Sequence, residues 1–274
     1  MRAYAAAGAD GIGIWELKLS DAGDGEALEV LHASGLGSAS AVPAIPSILP
    51  LPLMEGPAEP QARIDAICAS LHRLAAFAPS GIVCLTGPGD DRDTVVEGLR
   101  IIADEAERAG VRVGLEPINP FGGENWTMIN SLPEAADLVD DVDRPSLGLQ
   151  FDSWHLWNTD VVDDIHRYAD RFVGVHIADW REPTRSWADR VLPGDGVADL
   201  PAILGALDAA GWSGFYDLEI FSDNGTFGNA WPDSLWDVSA EELARAGKAA
   251  FERAWEARIQ SPVDPVATPR GGTT

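Results

Sequence analysis

Short apolar runs alternate with longer amphipathic stretches along the chain. The runs are Gly11–Leu17, Gly37–Ile45, Gly81–Thr86, Arg112–Ile118, Leu147–Asp152, Phe172–Ala178 and Phe215–Phe221. Near-continuous hydrophobicity over so few residues marks strands buried on both faces of a parallel sheet; strands with one wet face alternate instead. The segments between them read as helices. Thr94–Ala109 places Val95, Leu99, Ile102 and Ala106 on one stripe with acids and arginines opposite. Ser131 ahead of Leu132-Pro133-Glu134 is an N-cap followed by an early proline. Asp199-Leu200-Pro201 repeats that signal before Ala202–Ala210, which Gly211 terminates.

Strand alternating with helix predicts an α/β fold with right-handed crossovers. No G-x-G-x-x-G follows a strand, which removes the support for a dinucleotide-binding doubly wound sheet. The other common arrangement at this length is a (β/α)8 TIM barrel. Seven runs leave one strand unaccounted for. Residues 1–9 read as the end of a helix closed by Gly8, so the first strand is expected to be missing from this sequence, with Met1 an internal start. The alternative is a seven-stranded barrel with two bare strand edges. The expected organisation is a single N-terminally truncated barrel domain over residues 1–260 and a disordered tail over residues 261–274, where Pro262, Pro265, Pro269, Gly271 and Gly272 cluster.

Charge narrows the partners. Among 274 residues, 19 basic side chains face 44 acidic ones, a net charge of −25. Such a chain repels phosphate backbones and anionic lipid surfaces, so neither nucleic acid nor membrane is an expected partner. The most apolar stretch, Ala39–Met54, contains Pro43, Pro46, Pro50 and Pro52 and cannot be a membrane helix. The start lacks an apolar signal core, and Cys68 and Cys84 have neither metal nor redox spacing. A reduced, cytoplasmic protein is expected. Lys18 and Lys248 are the only lysines, which leaves Schiff-base chemistry few candidates.

The chemistry is expected where barrel strands end. The last four runs finish Leu115-Glu116-Pro117-Ile118-Asn119, Asp152-Ser153-Trp154-His155, His176-Ile177-Ala178-Asp179 and Asp217-Leu218-Glu219. Each delivers a carboxylate or an imidazole into an otherwise apolar stretch, where a charge is costly unless paired or bound to metal. Glu116, Asp152, His176 and Glu219 together form an O,O,N,O donor set. Three carboxylates gathered without a cation would repel one another. The set suits Mn2+ first, with Mg2+, Co2+ and Zn2+ as alternatives.

In order and spacing these motifs resemble the xylose isomerase-like TIM-barrel superfamily of sugar isomerases and epimerases, which includes tagatose 3-epimerase, hydroxypyruvate isomerase and inosose dehydratase. The resemblance spans roughly residues 8 to 257, with Pro193-Gly194-Asp195-Gly196 as its P-G-x-G loop. It implies that Glu116, Asp152, His176 and Glu219 bind the metal, that Glu116 and Glu219 transfer protons, and that His155 contacts a substrate oxygen. It also implies a substrate-binding arginine soon after His176, for which Arg181 and Arg185 both fit the spacing, with Arg181 carried forward. Proton abstraction beside a carbonyl, through an enediolate, then gives epimerisation when the proton returns to the other face, and isomerisation when it returns to the next carbon. The chain departs from the pattern at Gly11-Ile12-Gly13, where glycine replaces a glutamate and Glu16 follows three residues later. The nuclease branch of the superfamily needs more histidines than the five here, of which His32, His72 and His166 lie in helical stretches.

Most of the ten tryptophans fall at or just after strand ends. Trp15, Trp126 and Trp154 are read as faces on which a sugar stacks, while others anchor loops or a dimer interface. Asn119 and Asp179 are candidates to orient ligands, Asn119 also as a substrate contact. The proline-rich segment Pro43–Pro52 is either a semi-rigid lid or a surface crossing. No phosphate-cradling glycine loop is visible, so a small free sugar or polyol ketone is the expected substrate, with a homo-oligomer compatible. Besides the isomerase or epimerase, two readings stay open. One is a lyase on the same site, either an inosose- or dehydroshikimate-type dehydratase or a C-glycoside-cleaving subunit. The other is a catalytically silent truncated barrel.

Overall fold

The computed structural model describes residues 1–20, 23–52, 54–120 and 126–259. In chain order the elements are α1 (Arg2–Ala6), β1 (Gly11–Trp15), α2 (Gly25–Ser34), β2 (Gly37–Val42), α3 (Pro60–Ala75), β3 (Gly81–Cys84), α4 (Arg92–Ala109) and β4 (Val113–Leu115). There follow α5 (Leu132–Val142), β5 (Leu147–Asp152), α6 (Ser153–Leu156), α7 (Val161–Tyr168), β6 (Phe172–Ile177), the short strands β7 (Asp179–Trp180) and β8 (Arg190–Val191), α8 (Leu200–Ala209), β9 (Asp217–Leu218) and α9 (Ala240–Ala257).

Seven strands pair in parallel in the order β1-β2-β3-β4-β5-β6-β9, a nearly closed barrel wrapped by the helices. This is the predicted TIM-barrel architecture. Strands β3 to β6 are buried on both faces, as their unbroken apolar runs require, whereas β1 and β9 are half-buried. Among the described residues no ladder joins those two end strands. Side chains of the last strand reach across to the first two instead. The Phe215 ring lies where a Cβ on Gly11 or Gly37 would stand, at 2.7 and 2.5 Å. Only glycine admits that approach. The expected tail over residues 261–274 lies outside the described residues.

Four of the longer helices start on side-chain caps, two of them, Ser131 and Asp199, predicted from the sequence. Asp91, Ser131, Asp199 and Ser239 accept the backbone N–H groups of Thr94, Glu134, Ala202 and Glu242 at the starts of α4, α5, α8 and α9. The stripe Val95, Leu99, Ile102 and Ala106 of α4 is wholly buried in the layer between sheet and helices.

Six of the seven strands are shorter than their apolar runs, and in the first two the cause is local. The first stops at Trp15, because Glu16–Lys18 turn into a 3-10 helix that leaves Leu17 60% exposed. The second stops at Val42, since Pro43 has no N–H to extend the ladder. The proline-rich segment beyond it is neither lid nor surface crossing. Ile48 and Leu49 are buried in the core, Ser47 bridges to Leu85, and Arg63 holds the Ser47 carbonyl at 2.8 Å and its hydroxyl at 2.7 Å. Glu16 ties the same segment down by accepting the Ala44 N–H at 2.8 Å.

One excursion bears on the site. Between β6 and α8 the chain forms the antiparallel pair β7–β8, with Trp180 opposite Arg190. Buried Asp179 anchors it, accepting four backbone N–H groups from Trp180, Gly194, Gly196 and Ala198 at 2.8–3.1 Å. The role Asp179 visibly fills is thus to knot the Pro193–Gly196 loop.

Candidate metal centre and active site

Parallel register brings four strand ends level. Asp152 closes β5 and pairs with His176 on β6, which in turn pairs with Asp217 on β9. Glu116 and Glu219 stand one residue beyond β4 and β9, their N–H groups donating to the carbonyls of Cys84 and Ile177. The sequence-predicted ligands Glu116, Asp152, His176 and Glu219 therefore converge, each offering one ligand atom within 4.8 Å of the others. Glu116, Asp152 and His176 are buried.

The fine geometry fits a cation. His176 Nδ1 lies 3.6 Å from Glu116 Oε1 and 3.5 Å from Glu219 Oε2, too far for hydrogen bonds. Both His176 Nδ1 and Glu116 Oε1 are buried and lack any hydrogen-bond partner. Orphaned buried polar atoms are rare, and here two aim at the same space. Three carboxylates and one imidazole are the donors a hard divalent ion takes.

The electrostatics express the same crowding. Burial works against the Asp152 carboxylate, but Arg190 and the neighbouring imidazoles outweigh it and hold it at about 2. Burial raises Glu219, and with Asp152 and Glu116 nearby it sits at about 7 despite the opposing pull of His176 and Arg190. Burial also raises Glu116. For His176, burial disfavours the charged ring, yet Glu219, Glu116 and Asp217 overcome it and push it up to about 10. Like charges this close cannot all ionise, so protons stand in for missing positive charge.

Beside His176, the site's fixed positive charge is Arg190, which sequence reasoning missed. Its Nη1 donates to Asp152 Oδ2 and Glu219 Oε2, both at 2.8 Å, and its guanidinium lies 4.8 Å over the rings of both Trp154 and Phe221. The predicted Arg181 is elsewhere, paired with Asp189 at 3.0 Å and Asp233 at 3.1 Å. Arg185 holds the same two acids. The usable signal was the apolar Val191-Leu192 after Arg190, which marks a buried arginine just ahead of the Pro193–Gly196 loop.

His155 joins the group. Its Nδ1 accepts the Asn119 N–H at 3.1 Å, and Asn119 Nδ2 donates to the His155 carbonyl at 3.3 Å. Its Nε2 lies 3.3 Å from Arg190 Nη2 and 3.7 Å from Asp152 Oδ2. Burial drives this imidazole down to about 3, so it is neutral at working pH. Asn119 thus acts on His155. Trp154 is fully buried between Trp180, His155 and Arg190, which places it beneath the site and away from solvent. Trp15 packs edge-on against Phe221, Trp187 packs against both Phe221 and Phe227, and Trp126 meets Trp187, forming an aromatic flank next to Arg190.

A sequence model of the family described as xylose isomerase-like TIM barrel matches residues 1–253. The chain belongs to this family. Its relatives include a D-psicose 3-epimerase of Enterocloster bolteae, 29% identical over 168 residues that make up 59% of this chain and 52% of the relative. An inosose isomerase of Bacillus licheniformis is 30% identical over 164 residues, 58% of this chain and 54% of that one. The chain thus spans about half the length of the curated relatives it matches. Among solved structures, an L-ribulose 3-epimerase superposes with a TM-score of 0.74 at 22% identity, covering 96% of this chain and 91% of its own, which shows the shared fold. No helix among the described residues is long and apolar enough to cross a membrane.

Proposed function

We propose that this member of the family is a divalent-metal-dependent sugar isomerase or epimerase acting on a small sugar or polyol ketone. The observation that carries the reading is the meeting of Glu116, Asp152, His176 and Glu219 around two orphaned, buried polar atoms. These four residues would hold the ion, with Mn2+ the first choice and Mg2+, Co2+ or Zn2+ alternatives. When bound, a divalent cation supplies Lewis-acid polarisation of a carbonyl oxygen.

The chain's own residues do the rest. Glu116 and Glu219 approach His176 Nδ1 from different strands, so the two carboxylates flank the space in which a substrate carbon would lie. One removes the proton beside the carbonyl and the other delivers one from the opposite face. Arg190 and His155 contact substrate oxygens, and the guanidinium balances the negative charge that develops there. Trp15 and Trp126, with Trp187 and Phe221, offer ring faces to the apolar side of a sugar.

The test is deuterium wash-in from D2O with added Mn2+ across ketoses, aldoses and inososes, followed by NMR. Exchange at the carbon beside a carbonyl, abolished by EDTA, is the expected result. Elimination products would replace this reading with a lyase. No exchange and no product with any substrate would overturn it.

A further inference from the structure

We infer that Ser40 and Asp217 position His176, fixing which ring nitrogen is free to bind the cation. This rests on reading the four-residue group as a metal centre. Three strands meet in the contact: His176 Nε2 lies 3.0 Å from Ser40 Oγ, and Ser40 Oγ lies 2.6 Å from Asp217 Oδ2. Asp217 Oδ2 is itself 4.0 Å from His176 Nε2, so its hydrogen bonding reaches the ring only through the serine.

Valence sets the direction of both bonds. Ser40 Oγ donates to Asp217 Oδ2, which uses the serine's single hydroxyl proton. The Ser40 oxygen then offers His176 lone pairs alone, and Nε2 must carry the proton that fills that bond. The neutral ring is left with its lone pair on Nδ1, the orphaned nitrogen that faces Glu116 and Glu219. Metal-ligating histidines owe their orientation and basicity to a partner of this kind on the other ring nitrogen. Without Asp217 the Ser40 hydroxyl is free to donate to Nε2, and the proton moves to Nδ1, where it blocks the cation.

The arrangement also accounts for Gly13. A Cβ there would stand 2.7 Å from Asp217 Oδ2 and 3.4 Å from Ser40 Oγ. Glycine inside this strand keeps open the volume in which the Asp217 carboxylate crosses from β9 to the serine of β2. The sequence trace of the relay is slight: Ser38 and Ser40 are small polar residues in an apolar run, and Asp217 sits two residues before Glu219.

Equilibrium dialysis of the full chain against Mn2+, with the metal counted by mass spectrometry, tests the relay. Ser40→Ala and Asp217→Ala should each weaken binding by roughly 10- to 100-fold, the usual loss for an outer partner of a ligand. Asp217→Asn keeps an acceptor for the serine and should restore most of the affinity. Long-range 1H–15N spectra of the metal-free chain, recorded where the ring has lost its second proton, should show His176 as the Nε2–H form in the native chain and a changed pattern in Asp217→Ala. Wild-type affinity in both alanine variants would overturn the relay, as would an unchanged tautomer in Asp217→Ala. Should Ser40→Ala fail to fold, the pair Asp217→Ala and Asp217→Asn decides alone. His176→Ala separates the two claims. Undiminished Mn2+ binding there would sink the metal centre itself, whereas its loss alongside intact binding in Ser40→Ala and Asp217→Ala would sink only the relay.

Discussion

Arg63 and Arg190 are both almost fully buried, at 1% and 4% exposure, yet they serve opposite ends. Arg63 is held by neutral oxygens, the carbonyl and hydroxyl of Ser47 and the Pro57 carbonyl at 3.0 Å, and burial lowers its pKa. Arg190 is held by two carboxylates, which overcome the same burial and raise its pKa. The first arginine staples the proline-rich segment into the barrel wall. The second balances two of the acids that converge at the proposed metal centre, and its Nε is left without a partner. Burial alone therefore says nothing of function; the charge and remaining valence of the partners do.

The predictions break or sharpen that contrast, from the largest effect to the smallest. Glu219→Gln removes a carboxylate partner of Arg190 together with its proton-transfer role. Deuterium exchange should fall by roughly 10²- to 10⁴-fold while the circular dichroism spectrum persists. Retained exchange would take Glu219 out of the catalytic pair. Asp152→Ala, which deletes the other acid on Arg190, should lower bound Mn2+ by about 100-fold or more in dialysis. Undiminished metal content would contradict the assignment.

Changing the arginines themselves should separate stability from chemistry. Arg63→Met should cost about 2–4 kcal/mol in urea unfolding, from unsatisfied oxygens and imperfect packing, and leave Mn2+ affinity unchanged. Arg190→Met should instead make stability depend on metal, because the cation then carries the charge the acids need. Its melting temperature should rise more on adding Mn2+ than the native chain's does. An equal rise in both would remove Arg190 from the charge balance.

The gentlest test is pH. Glu219 is raised to about 7 and His176 to about 10, so both hold protons that a cation must displace. Affinity should climb with pH, by about two logarithmic steps per unit below 7 and about one above it, as one proton fewer is released. Titrating proton release on Mn2+ addition from pH 5.5 to 8.5 checks this, and a flat profile would contradict it.

Much of the site was legible before folding was considered. Glu116, Asp152, His176 and Glu219 stand out because an ionisable residue within an uninterrupted apolar run is expensive, and four successive strands repeat the expense. The caps Ser131 and Asp199 were legible because capping is local chemistry over three residues. Arg190 was not: it returns to the strand ends on the β7–β8 excursion, and its nearer neighbours Arg181 and Arg185 fit the spacing equally well. The Pro43–Pro52 segment misled for a related reason. Prolines forbid a strand there but do not say whether the chain crosses water or core, and Arg63 and Glu16 decide that from elsewhere.

By itself, then, the sequence determined the alternation of strand and helix, the barrel class and the four ionisable residues that converge at the strand ends, because each is written in the periodicity and local cost of neighbouring residues. Only the tertiary structure decided which arginine balances the acids and that Ser40 and Asp217 reach His176. Those contacts join residues 177 and 136 positions apart. They depend on the register of strands that are not neighbours in the sheet, and on the volume left open at Gly13.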